Sequence, residues 1–216
     1  MGSTSLHLDN DRGFKARLDN GVSIYVRPMG VSDKHLIAQA IHDLSDQSRY
    51  MRFFSAFHDA PEPVLDLLAN VDGDKHVAWG AVDSEQNGRP IAAVHAIRGN
   101  PQDKDVEIAC TVLDDYHGHG ISHLLLAATV FDCLALGVEL AHAEVLFGNY
   151  KAKGLFEGLN ADLVESDETL LYRMELSSLL RTIERKGHPN SLAQFMHALR
   201  TSADPSPTIG VPWSNP

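Results

Sequence analysis

Cysteine is nearly absent: Cys110 and Cys133 are the only two in 216 residues, which excludes a disulfide framework and a thiolate zinc centre. Both read as small buried apolar side chains. Cations are also scarce, with 18 Lys and Arg against 29 Asp and Glu and a net charge of −11. Neutralising phosphates takes a basic face, so a nucleic-acid partner is not expected, nor is a polybasic membrane anchor. No run approaches the roughly 18 apolar residues of a spanning helix. The start, MGSTSLHLDNDRG, lacks the charged-then-apolar order of a leader peptide. A cytoplasmic protein is the resulting expectation. There is no internal repeat, and the length suits one ordinary core.

What is present changes period several times. Residues 1–20 mix polar types without a period, and the tail 201–216 holds four of the ten prolines; both read as flexible or surface-draped. Val22 to Val26 alternates as a strand and stops at Pro28. Ser32 or Asp33 is placed to cap a helix carrying Leu36, Ile37, Ala40, Ile41 and Leu44, and Pro61 and Pro63 open another. KHVAWGAVD and PIAAVHAIRG, apolar on both faces, read as covered strands joined through Asn87-Gly88, a hairpin signal. DVEIACTVL is a strand with Val106, Ile108, Cys110 and Val112 on one face and Glu107, Ala109, Thr111 and Leu113 on the other. The glycine turn YHGHG then opens a helix with Ile121, Leu124, Leu125, Ala128, Phe131 and Ala135 inward. ELAHAEVL is the next strand, Asn149 starts a helix and TLLYRMEL is the last strand. The pattern is α+β with a mixed sheet over residues 21–176. Residues 177–200 form a helical extension of two amphipathic segments broken at Gly187-His188-Pro189.

Chemistry concentrates at the strand–turn–helix TVLDDYHGHGISHLL. Free N–H groups and the positive end of the helix dipole suit a phosphate there, and Gly118 and Gly120 let the chain approach an anion closely. His117, His119 and His123, three of twelve histidines, lie in the same stretch. His119 and His123 have helical i, i+4 spacing, but a zinc site needs more ligands, and imidazoles beside a phosphate turn serve equally as partial positive charge. No metal is assigned. Glu107 interrupts an apolar strand, which is expensive without a purpose or a partner. It is the leading carboxylate for proton transfer, ahead of Glu144, which reads as a polar residue on a wet strand face.

These elements and three local strings resemble the GNAT superfamily of acyl-CoA-dependent N-acyltransferases, over residues 22 to 176. The family's turn reads Gln/Arg-x-x-Gly-x-Gly/Ala; here it is His117-Gly118-His119-Gly120-Ile121-Ser122, with histidine first and serine last. LSDQSRYMRFF (44–54) is similar to a stretch of GNAT domains in bacterial protein lysine acetyltransferases. GNYKAKGLFEGLNADL (148–163) resembles the last motif helix, with Asn149 matching and Asn160-Ala161 replacing Gly-Phe.

The resemblance implies a GNAT fold with helices on both faces of the sheet and splayed fourth and fifth strands, 105–113 and 139–146. It implies acetyl-CoA as co-substrate, its pyrophosphate held by the amides of residues 117–122 and its pantetheine arm against the backbone of Cys110 and Val112. An amine acceptor, with a protein lysine leading, follows from the same likeness, and Glu107 matches the relatives' glutamate base in Glu-x-x-x-x-x-x-Asp-Asp. Phe156 stands where many members carry a tyrosine acid, and Tyr116 and Tyr150 read as packing or surface residues. A small-molecule amine acetyltransferase and a non-catalytic acyl-CoA-binding module remain alternatives. Acyl length, acceptor and oligomeric state stay open.

Overall fold

The computed structural model describes residues 12–202; the expectations for residues 1–11 and 203–216 lie outside this range. Eight strands form one sheet in the order β1-β2-β3-β4-β5-β6-β8-β7. They are β1 (Phe14–Arg17), β2 (Ser23–Pro28), β3 (His76–Asp83), β4 (Arg89–Ile97), β5 (Asp105–Val112), β6 (Leu140–Val145), β7 (Asp162–Ser166) and β8 (Leu170–Glu175). Every pairing is antiparallel except β5 with β6. A parallel pair needs a crossover, and α4 (Ile121–Ala135) supplies it. The remaining helices are α1 (Lys34–Asp43), α2 (Asp46–Phe53), α3 (Glu62–Ala69), α5 (Tyr150–Gly158), α6 (Leu176–Lys186) and α7 (Leu192–Ser202).

Alternate residues of β3 separate the two layers. Val77, Trp79 and Ala81 enter the main core with α4, α6 and α7, while Ala78 joins Met29, Ile37, Ile41, Leu65 and Leu68 beneath α1 and α3. Asn87 and Gly88 both adopt positive φ in the β3–β4 connection, the conformation their pairing predicts.

Four sequence expectations need correction. Phe14–Arg17, within the stretch read as flexible, is an edge strand; with four residues and only Ala16 buried it is too short to display a period. Phe14 is nonetheless anchored, stacked 6.2 Å from Trp79 and edge-on at 5.4 Å to Phe195. β7 is exposed at all five positions, so it carries no apolar alternation to read. Asp33 does precede α1, but its carboxylate is taken by Arg27 and the Gly30 N–H instead of capping the helix. Finally, α4 is buried almost all round, Leu126, Ala127, Thr129, Val130, Asp132 and Cys133 included, while Ala135 is exposed. The physical reason is the extension: Leu179, Ile183, Phe195, Met196 and Leu199 lie in the same core and cover the helix face that a shorter chain would leave wet. Among the described residues no helix is long and apolar enough to cross a membrane.

Candidate active site

The parallel β5–β6 ladder is only three residue pairs long, Asp105–Leu140 to Glu107–His142. Beyond it the two strands part, and a cleft of about 930 Å³ opens, lined by residues 107–112 of β5 and 143–145 of β6. Which backbone groups face this wedge follows from antiparallel pairing. Leu113 donates to Ile91 O across the β4–β5 ladder while its own carbonyl accepts from the Tyr116 N–H, so Thr111 and Ala109, two and four residues earlier, spend their N–H and C=O groups on β4. Cys110 and Val112, the intervening residues, turn theirs toward the side that β6 has left. The Val112 carbonyl accepts a hydrogen bond from His117 Nε2 at 3.0 Å, which leaves its N–H for a ligand.

The turn between β5 and α4 closes one end of the cleft. Gly118 and Gly120 stand at φ +79° and +86°, a region that disfavours any side chain with a Cβ. Among the described residues, no backbone acceptor takes the N–H groups of Gly118, His119, Gly120, Ile121 or Ser122. These are the orphan donors of a helix start with one glycine turn added, and they form an anion cradle. Gly118, Gly120, Ile121 and Ser122 line the cleft, whereas His119 does not. His117 is committed: besides Val112 O, its Nδ1 accepts from Lys151 Nζ at 2.5 Å. Burial, with Lys151 beside it, pushes its pKa below the ordinary imidazole value, so Lys151, rather than His117, is the cation at the turn. Nothing in the sequence marks Lys151, which looks like any surface lysine in a first helical turn.

Asn149 caps α5, its Oδ1 accepting from the Ala152 N–H at 3.1 Å. The Cys110 thiol is pushed up to about 11 by burial, with Ser122 pulling weakly the other way; it stays protonated at neutral pH and is no nucleophile. Burial, then His188 and Lys186, drive His123 down to about 4. His117, His119 and His123 do not gather as a ligand set among the described residues; His42, His58 and Asp59, all exposed, do so elsewhere.

The LSDQSRYMRFF stretch builds the facing wall. Ser45 caps α2, and its N–H and the Ser48 hydroxyl bond the Asp114 carboxylate at 3.3 and 2.8 Å. Arg49 is buried against the carbonyls of Ile41 and Leu44. Arg52 reaches β5, its Nε donating to Thr111 Oγ1 at 3.1 Å. Sequence reading noticed this string as a likeness and missed that it docks α2 onto β5.

Glu107 lies at the last rung of the β5–β6 ladder and lines the cleft. It is exposed, as is Asp105 two residues earlier on the same face, so the expectation of an expensive carboxylate inside an apolar strand is overturned: this face of β5 is open to solvent at its first rungs. No ion pair holds it among the described residues; Arg52 acts on it only through space. Glu144 also lines the cleft and accepts from Thr169. Tyr116 donates its hydroxyl to Asp83 at 2.6 Å, and burial, then this hydrogen bond, pushes it up to about 12. Tyr150 is 77% exposed on the rim, and Phe156 is buried, stacked 5.6 Å from Tyr172.

A split parallel pair, a glycine turn of free amides at its mouth and a carboxylate on its wall meet in one cleft. The family described as Acetyltransferase (GNAT) family matches residues 38–160, and the chain belongs to it. Acetyltransferase Pat of Mycolicibacterium smegmatis is 27% identical over 179 residues, covering 77% of this chain and 53% of that protein. Acetyltransferase PA5475 of Pseudomonas aeruginosa is 28% identical over 109 residues, covering 50% of this chain and 59% of that one. This chain therefore spans little more than half the length of these relatives. The solved GNAT domain of S. lividans PAT superposes with a TM-score of 0.69 at 24% identity, covering 76% of this chain and 97% of that one. A cAMP-binding acyltransferase from Mycobacterium smegmatis gives 0.59 at 23% identity, over 87% of this chain and 54% of that one. These two likenesses establish the shared fold.

Proposed function

We propose that this chain is an N-acetyltransferase that moves an acetyl group from acetyl-CoA to an amine, with a protein lysine as the leading acceptor. The observation that carries the reading is the coincidence, in one cleft, of unpaired main-chain groups on β5, an unpaired amide turn and Glu107. The residues present fit the co-substrate. The amides of residues 118–122 and Lys151 suit a diphosphate, and the Cys110 and Val112 edge suits the amides of an extended arm. The lysine acceptor rests only on the likeness of residues 44–54 to GNAT domains of bacterial protein lysine acetyltransferases.

Glu107 takes the proton of the arriving ammonium, directly or through a water, so that a neutral amine attacks the thioester carbonyl. The C–N bond forms, the nitrogen gives up its second proton to solvent, the C–S bond breaks and the thiolate leaves. With Phe156 in place of a tyrosine and Tyr116 bound to Asp83, solvent reprotonates that thiolate.

Glu107→Gln tests the assignment. Coenzyme A affinity by calorimetry is expected to stay within about twofold, while turnover falls by roughly 10²–10⁴ and partly recovers at high pH, where more acceptor is already neutral. A folded mutant with parental turnover removes Glu107 from the reaction. A parent that binds coenzyme A but acetylates no amine or lysate protein is instead an acyl-CoA-binding module.

A further inference from the structure

Arg52 spends little of its hydrogen-bonding capacity on the protein. Its Nε bonds Thr111 and its guanidinium carbon stands 4.9 Å from the Phe53 ring centroid. Its two terminal nitrogens, with four N–H donors, have no protein hydrogen-bond partner and no carboxylate within ion-pair distance among the described residues, and neither is a buried unsatisfied atom, so both reach the solvent of the cleft. Contrast Arg49, three residues earlier on α2, which is bonded to Ile41, Leu44 and Asp46. The spare donors of Arg52 are not sealed in the core, since Arg52 lines the same cleft as Glu107. Facing the cleft, its planar fork of free donors matches a carboxylate.

Three features say which anion belongs there. The diphosphate already has its cradle at residues 118–122, beside Lys151, at the far end of β5. The main-chain edge that suits an uncharged arm belongs to Cys110 and Val112, while Arg52 and Thr111 lie on the strand face shared with Glu107. That face receives the acceptor. Glu107 is close enough to feel the Arg52 charge, yet not paired with it, so one acceptor has room to present an ammonium to the carboxylate and an anion to the guanidinium.

We propose that Arg52 binds a carboxylate on the acceptor, so that the preferred acceptors carry a carboxylate near the reacting amine. This inference rests on the transferase reading above. Two sources share the chemistry: an acidic residue flanking a lysine in a protein, or the carboxylate of a free amino acid.

The test is a matched set of acceptors measured with acetyl-CoA. One arm compares a lysyl peptide flanked by glutamate with the same peptide flanked by glutamine. The other compares a free amino acid with its amide. In the parent, kcat/KM is expected to favour the carboxylate member of at least one pair by about tenfold or more, expressed in KM, and the pair that shows it identifies the source. In Arg52→Gln that preference falls to near one, and Arg52→Lys, which keeps charge but loses the fork, retains part of it. Parental turnover without a carboxylate preference in either pair overturns the subsite and leaves the transferase reading standing. An equal fall in kcat for both members in Arg52→Gln, or a matching loss of coenzyme A affinity, moves Arg52 to the thioester or the phosphates and overturns it too. A parent inactive on all four acceptors and on lysate protein removes the transferase reading and the subsite with it.

Discussion

His123 shows how a single side chain links the cleft to stability. Its Nδ1 is buried without a hydrogen-bond partner, it meets His188 edge-on at 5.3 Å, and burial holds it near 4. Because the folded value is depressed, the unfolded chain takes up the proton first. The stabilisation is complete above about pH 6.5 and is lost as the pH falls from there to about 4. A shift of that size is worth roughly 3 kcal/mol. Urea unfolding of the parent and of His123→Phe at pH 7.5 and at pH 4.5 checks it: the variant is expected to lose less stability on acidification, by up to about that amount. His76, His95 and His117 are also depressed, so the parent's acid loss remains partial in the variant. Equal losses in both proteins reject a neutral buried imidazole at position 123. His117 yields a second expectation at this scale. The sequence suggested that its protonation would strengthen anion binding near neutral pH. Its Nδ1 already accepts from Lys151, so protonation breaks that bond. Coenzyme A affinity is therefore expected to depend on Lys151, falling about three- to tenfold in Lys151→Gln, and to change little between about pH 6.5 and pH 8.5. A steep rise in affinity as the pH falls through that range returns the role to the histidines.

At the scale of elements, α2 matters because it walls the cleft while touching the sheet through few groups. Asp114, at the end of β5, bonds Ser48 and the Ser45 N–H. Burial works against its charge, but these hydrogen bonds hold its pKa below the ordinary carboxylate value. Ser48→Ala is expected to cost about 1 kcal/mol and to speed amide exchange in α2 while leaving β3 and β4 protected. Uniform exchange changes would mean that α2 and the sheet open together. This contact illustrates what was legible in the sequence. Strands with strong alternation or two-sided apolar runs, such as β3, β4 and β5, were readable, as was the Asn87-Gly88 turn. β1 and β7 were not: one has a single buried residue, the other none. The glycine turn was readable because its chemistry is local, whereas Glu107 was singled out for a burial it does not have. The Arg52–Thr111 and Lys151–His117 pairs span 59 and 34 residues, and no local pattern announces a partner that far away.

Across the whole molecule, the extension helps to build the candidate site. Packing of α6 and α7 on α4 brings the 187–191 loop over the glycine turn, held by Asn190 N to Asp19 Oδ1 at 3.0 Å and Ser191 Oγ to Arg17 O at 2.7 Å. His188 lines the cleft. A Cβ built on Gly120 would lie 2.6 Å from Pro189 N and Cδ, while one on Gly118 would meet nothing within 4 Å. Both glycines have positive φ, so alanine strains the backbone at either, by about 1–2 kcal/mol. Only at Gly120 must the extension also move. Gly120→Ala is therefore expected to lower the urea midpoint more than Gly118→Ala, the excess reflecting displacement of Pro189 from the turn. Loss of coenzyme A binding in a Gly120 variant would mix packing with ligand contact. His119→Glu, which puts negative charge beside the turn at a half-buried position, without demanding a new backbone conformation, isolates the electrostatic part. Equal destabilisation by the two alanine variants would show that the Pro189 loop yields freely and that the glycine turn does not depend on the extension.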